Sequence, residues 1–287
     1  MYYIGIILVI VSVLGGNIIA GGHLSVLWQP AEYIIILGSG IGAFLAGNRK
    51  TVMFEILSLM KKSLNGNNKS KKDYTDLLCL MYSIFKLART KSMIVVEPHI
   101  EKPKTSVIFS RYKSFLDDKI SCNLFCDYVR MVSMGVDDPI IVEDLMRSEI
   151  DALKEESHEY VSSMQTFADS MPALGIVAAV LGVIHTMGSI DQPANVLGQL
   201  IGAALVGTFF GILVSYGIVA PIGTRMKQTL EIDNAFFDCI KACIIAYMNN
   251  LPPIIAVETA RKSIPHEMRP SYGEMEESLN DISESDL

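Results

Sequence analysis

Apolar positions follow two patterns along the chain. Tyr2–Ala20, Glu32–Gly47, Asp169–Met187 and Leu197–Ala220 are near-continuous apolar runs, the second apolar from Tyr33 onward. Elsewhere the pattern is periodic. In "SKKDYTDLLCLMYSIFKLARTKSM", Leu77, Leu78, Met81, Ile84, Phe85 and Ala88 recur at helical spacing and predict an amphipathic helix. A second helix is expected over about Arg111 to Met134, between the polar loop "LNGNNKSKK" with the proline-broken "VVEPHIEKPKTS" upstream and a new start downstream. That start is Asp138-Pro139, an N-cap followed by proline at the first helical position. No breaker follows before Pro172, so the third apolar run should extend backward as one helix. Thirty residues at ~1.5 Å each reach about 45 Å. After Pro221 the helix is expected to resume at Thr224 and run to "NNLPP". The predicted fold is an all-α integral membrane protein. It has four transmembrane helices, a helical cytoplasmic domain between spans 2 and 3, and long cytoplasmic extensions of spans 3 and 4.

Charge sharpens this picture. The 287 residues have a mean hydropathy of +0.36, and the charges are segregated. Residues 1–48 hold one acid, Glu32, and no Lys or Arg; from Asp169 to Thr224 only Asp169 and Asp191 are charged. All 24 Lys and Arg lie in 49–154 or 225–269. The connectors "GGHLSVLWQPA" and "SIDQPAN" lack Lys and Arg, which places them outside and both termini in the cytoplasm. No basic segment precedes the first run, so a cleaved leader is not expected. The expected domains are 1–48 (spans 1 and 2), 49–168 (cytoplasmic helical domain), 169–221 (spans 3 and 4), 222–270 (cytoplasmic helix and following segment) and 271–287. The last segment, "SYGEMEESLNDISESDL", has six acids and no base, and its composition reads as disordered.

The spans are rich in small residues: Gly38, Gly40 and Gly42 in the second, Gly175, Ala179 and Gly182 in the third, Gly198, Gly202, Gly207 and Gly211 in the fourth. Such spacing lets helix backbones approach closely, and it offers a foreign helix a face to pack on. The polar groups of the inner pair are His185, Thr186, Thr208, Ser215 and Tyr216; span hydroxyls are expected to bond back to their own helix. Mid-membrane acid or base is absent by this reading, so any ion-binding carboxylate would belong to a partner chain. The five cysteines pair as Cys122/Cys126 and Cys239/Cys243 on helix faces, with Cys79 alone, and read as packing residues without a histidine at ligand spacing. No nucleophile–base pair, phosphate loop or metal cluster is legible, so neither an enzyme nor a cofactor is expected.

Four blocks, "GGNIIAGGHLSVLWQPAEYIIILGSGIGAFLAGN", "MPALGIVAAVLGVIHTMGS", "LVGTFFGILVSYGIVAPI" and "PPIIAVETARKSIPHEMRPS", together resemble the MotA family of flagellar stator proteins, within the wider MotA/TolQ/ExbB proton channel family. The resemblance runs nearly end to end. It implies a stator subunit in the bacterial inner membrane, assembled as a ring of five around a dimer of the single-span protein MotB, whose helix supplies the proton-binding Asp. Pro172 and Pro221 match the prolines that couple ion passage to cytoplasmic movement, and Thr208 a channel-lining hydroxyl. Gly175 and Tyr216 fall in the same channel and coupling region. Arg89, Glu97 and Glu149 match charged positions facing the rotor protein FliG. Sodium-driven relatives carry Thr where this chain has Ala179, and a hydroxyl where it has Gly207; the resemblance therefore implies a proton as coupling ion. Two alternatives stand beside this: an ExbB/TolQ-type energiser, and a non-conducting membrane scaffold.

Overall fold

The computed structural model describes residues 2–66 and 69–282, and every element within them is helical. In chain order they are α1 (Tyr2–Ile19), α2 (Leu24–Leu27), α3 (Pro30–Tyr33), a π turn (Ile34–Gly38), α4 (Ser39–Gly47) and α5 (Lys50–Asn65). Next come α6 (Lys71–Thr90), α7 (Met93–Glu101), a 3-10 turn (Pro103–Thr105), α8 (Val107–Ser110), α9 (Lys113–Asp117) and α10 (Lys119–Ser133). The last group is α11 (Pro139–Met187), α12 (Ala194–Val214), a second π turn (Ser215–Val219), α13 (Ala220–Met248), α14 (Pro253–Ser263) and α15 (Tyr272–Asn280).

The chain divides into two compact units, residues 1–67 with 156–228 and residues 68–155 with 229–287. The first contains the four candidate membrane spans: α1, Leu24–Gly47, and the apolar parts of α11 and of α12 continued into α13. It also keeps α5 and the polar stems of the two long helices. Arg225 Nε donates to the Ser63 carbonyl at 3.2 Å, and Arg49 pairs with Glu159 at 3.0 Å. These contacts explain why the division falls inside the long helices rather than at the edges of the apolar runs.

α11 begins where the cap predicts, with the Ile140 amide donating to Asp138 Oδ1 at 2.9 Å, and continues through Pro172 without a break. Pro221 does not interrupt its helix either, although a restart at Thr224 was the expectation. The π turn just before it widens the backbone, and the proline ring would otherwise collide with the carbonyl four residues back.

The second unit is built on α6. Ser70 and Asp73 cap it reciprocally, and the apolar face read from the sequence is wholly buried. Phe85, Phe109, Phe115, Phe125 and Phe236 form the aromatic centre, with Tyr247 stacked on Phe85 at 4.2 Å. All five cysteines, Cys79, Cys122, Cys126, Cys239 and Cys243, are buried in this core.

Three expectations are corrected here. The helix expected over Arg111–Met134 is cut at Asp118, whose carboxylate accepts the Ser121 amide at 3.3 Å and pairs with Lys69 at 2.6 Å. α7 passes through Pro98, which removes the hydrogen bond to the carbonyl of Ile94, an exposed residue in the first turn of the helix. The acidic segment folds over Tyr272–Asn280: Ser271 and Glu274 form a capping box, Lys71 bonds Glu274 at 2.7 Å, and Met275 and Leu279 are buried one turn apart. Residues 283–287 lie outside the described residues.

Candidate functional site

Spans 3 and 4 meet along a seam lined by glycine. A methyl group built on Gly175 would lie 2.8 Å from the Gly207 carbonyl oxygen, and one on Gly211 would lie 2.6 Å from the Met171 carbonyl oxygen. One on Gly182 would meet the Ala204 Cβ at 2.6 Å. The helices therefore touch backbone to backbone, which only residues without a Cβ permit. The small-residue faces read as places for a foreign helix are, at these positions, used within the chain. Gly40 serves a similar close contact, with the Met171 side-chain tip lying over it. A methyl group on Gly38, Gly42 or Gly198 would meet nothing within 4 Å among the described residues.

The seam gathers several of the residues singled out in the sequence. Gly175 faces both Gly207 and the Thr208 Cα. The Ala179 amide nitrogen would lie 3.4 Å from a methyl group on Gly207, so these two positions oppose each other. Neither carries a side-chain oxygen.

The hydroxyls divide. Thr186 bonds back to Gly182 of its own helix at 2.9 Å, as expected. Thr208 instead reaches across to the Gly175 carbonyl at 3.4 Å, and Ser215 across to the Ala168 carbonyl at 2.7 Å. The second bond has a covalent cause. Pro172 has no N–H, so the carbonyl four residues earlier, that of Ala168, loses its helical partner. Ser215 supplies the missing donor from span 4, at the start of the π turn. Pro221 and Tyr216 lie away from the seam, lining a groove with Tyr2, Ile6 and Val9 of α1.

The expectation of no mid-membrane acid did not weigh Glu32, at the start of span 2. An acid does lie among the spans. Glu32 is only 8% exposed, and its carboxylate sits against the seam: methyl groups on Gly207 and Gly182 would lie 2.7 Å and 3.6 Å from its oxygens. Oε2 has no hydrogen-bond partner among the described residues. The sequence carried one signal for it, an isolated acid in 48 residues without another charge.

In the second unit Arg89, Glu97 and Glu149 are all exposed. Arg89, at the end of α6, donates to the carbonyls of Asn250 and Leu251 at 3.4 and 3.2 Å, bracing the loop after α13. Glu149 accepts from the Tyr128 hydroxyl at 2.8 Å, and burial together with this bond raises the Tyr128 phenol above its ordinary range. No hydrogen bond or ion pair joins any two of these three residues, so the structure does not form them into one cluster.

Comparison with known proteins places this geometry. Residues 3–92 match the family model "Motility protein A N-terminal", and residues 117–235 match "MotA/TolQ/ExbB proton channel family". Motility protein A of Salmonella typhimurium is 38% identical over 279 residues, covering 97% of this chain and 95% of that protein. Motility protein A of Escherichia coli is 37% identical over the same share of each. The solved structure of C. jejuni MotAB superposes with a TM-score of 0.77 at 17% identity, covering 94% of this chain and 98% of that one. With an end-to-end relative at this identity, four apolar helices and the glycine seam of its inner span pair, the chain belongs to the motility protein A family.

Proposed function

We propose that this chain, by family a stator subunit of a bacterial flagellar motor, couples inward proton flow to torque. The observation that carries the ion assignment is the seam itself. Ala179 and Gly207 oppose each other and contribute no side-chain oxygen, whereas a hydroxyl at either would add a ligand for a sodium ion stripped of water; a proton needs only a carboxylate and hydroxyls. The chain is a multi-pass membrane protein; its place in this reading is the bacterial inner membrane, with both termini in the cytoplasm. A MotB-like single-span partner supplies the proton-binding Asp, and five copies of this chain surround two of the partner.

In this account a proton entering from outside neutralises the partner's Asp. That relaxes an electrostatic constraint on spans 3 and 4, the ring turns about the partner, and release to the cytoplasm restores the charge. Each charge crossing 100 mV delivers about 2.3 kcal/mol, enough to shift a two-state population about fiftyfold. The element that switches in this reading is the pair of irregular helix segments at Pro172 and Ser215–Val219, joined by the Ser215–Ala168 hydrogen bond. Arg89, Glu97 and Glu149 meet FliG. Exposed ion pairs are worth only about 0–1 kcal/mol each, which suits repeated stepping better than tight binding. The chain needs no cofactor and performs no covalent chemistry.

Expression with its MotB-like partner in a stator-less flagellated host tests the reading. Rotation should be restored, and Pro172→Ala should assemble in the membrane yet fail to rotate. Normal motor speed in that variant would defeat the coupling role of the proline.

A further inference from the structure

We propose that Glu32 is a second proton-carrying carboxyl, lying in this chain itself and serving the outer half of the path toward the partner's acid. The inference rests on the proton-coupled reading above.

The geometry is specific. Glu32 is the third residue of α3, which starts at Pro30, and so it points from the first turn of span 2 into the bundle. Both glycines beneath it are needed for its seat. A side chain on Gly207 would collide with Oε2, and one on Gly182 would crowd Oε1 while striking Ala204. Gly207 lies thirteen residues into α12 and fourteen before Pro221. At ~1.5 Å per residue that is about 20 Å along α12 from either, whereas Gly182, at the other carboxylate oxygen, lies only about 8 Å before the end of α11 at Met187. The carboxyl is thus rooted at the outer edge of span 2 and ends within the outer half of the span pair.

Its surroundings supply no counter-charge. The elements packed there present Ala178, Gly182, Ala204 and Gly207. α12 carries no titratable residue, and the membrane part of α11 carries only Asp169 and the exposed His185, three residues beyond Gly182. The neighbouring Tyr33 hydroxyl is engaged by the Leu27 carbonyl. An ionised carboxylate without partners in such a medium is very costly, and a bound proton removes that cost. The orphaned Oε2 is the atom that would receive it. The next polar groups along the seam are the Thr208 hydroxyl with the Gly175 carbonyl, then Ser215 with Ala168. The step balances simply. A proton from outer water bonds Oε2 and neutralises the carboxylate, then leaves to an acceptor deeper in the path, and the negative charge returns. No electrons move.

The test uses the full complex with its MotB-like partner, reconstituted in vesicles. Proton uptake under an imposed potential should fall at least tenfold in Glu32→Gln, which keeps the shape of the protonated acid. Infrared spectra of the wild-type complex labelled with 13C-glutamate should show a glutamate carboxylic-acid band that titrates within about pH 5 to pH 9. This second readout holds even where the variant fails to assemble. Wild-type complex that passes no protons would sink the proton-coupled reading and the inference with it. Wild-type flux left unchanged by Glu32→Gln, or a wild-type spectrum without the titrating band, would sink the inference alone.

Discussion

The Ser215 hydroxyl donates at 2.7 Å to the Ala168 carbonyl, the one carbonyl that Pro172 deprives of its helical partner. The defect in span 3 is thereby repaired by span 4, at the residue where span 4 itself departs into a π turn. Two irregular segments on different helices share one hydrogen bond, so a shift in either is felt by the other.

Ser215→Ala leaves that carbonyl buried and unpaired, at an expected cost of about 1–3 kcal/mol. Pro172→Ala returns the amide and satisfies Ala168 from within its own helix. The cost of Ser215→Ala should therefore shrink by more than half in a Pro172→Ala background. Melting temperatures of the four detergent-solubilised complexes check this; equal costs in both backgrounds would show that the two residues are not coupled.

Gly175→Ala and Gly211→Ala place a methyl group against backbone atoms, 2.8 Å and 2.6 Å away, which no rotamer change relieves. Each should destabilise the span pair by about 1–3 kcal/mol and abolish rotation. Gly42→Ala meets open space in this chain. The melting temperature of the chain expressed alone should be unchanged by Gly42→Ala and lowered by the other two.

The Asp118 carboxyl is pulled upward by burial, but Lys69 at 2.6 Å and the Ser121 hydroxyl and amide outweigh this and hold it below the ordinary carboxylate range. A depressed folded value means the stabilisation is complete above the unfolded value of about 3.9 and fades as pH falls through the folded one. Asp118→Asn leaves Lys69, only 10% exposed, over the Phe236 ring but without its carboxylate, at an expected cost of about 2–3 kcal/mol at neutral pH. The gap in melting temperature between wild type and variant should narrow below about pH 4. A gap that stays constant to lower pH would contradict the assignment.

Arg89 does two things, bracing Asn250 and Leu251 and offering exposed charge. Arg89→Glu should reduce motility severely, and a compensating charge reversal on the rotor protein should recover part of it. Arg89→Ala should leave a milder defect without a rescuing rotor change for its bracing share. Swimming speeds of the paired variants separate the two.

The long helices were legible because their signals are local: Asp138-Pro139 starts α11, and no breaker intervenes before Pro172. The buried face of α6 was legible from its period for the same reason. α15 was hidden by its acidic composition, although Ser271-x-x-Glu274 followed by Met275 and Leu279 carries a capping box and one buried turn. Both π turns were beyond reach, and the isolation of Glu32 marked it out without showing its burial, since each depends on which helix faces meet. The same holds for Ser215. Its hydroxyl looks self-bonding along one helix, and only the juxtaposition with the carbonyl freed by Pro172 redirects it.

The central claim is that the ion driving this chain is the proton. The most direct measurement is rotation of single tethered motors in a stator-less host carrying this chain and its MotB-like partner, in potassium buffer without sodium at fixed pH. The account predicts steady rotation that collapses when a protonophore is added. Rotation that stops on replacing sodium by potassium, and returns with sodium despite the protonophore, would contradict it.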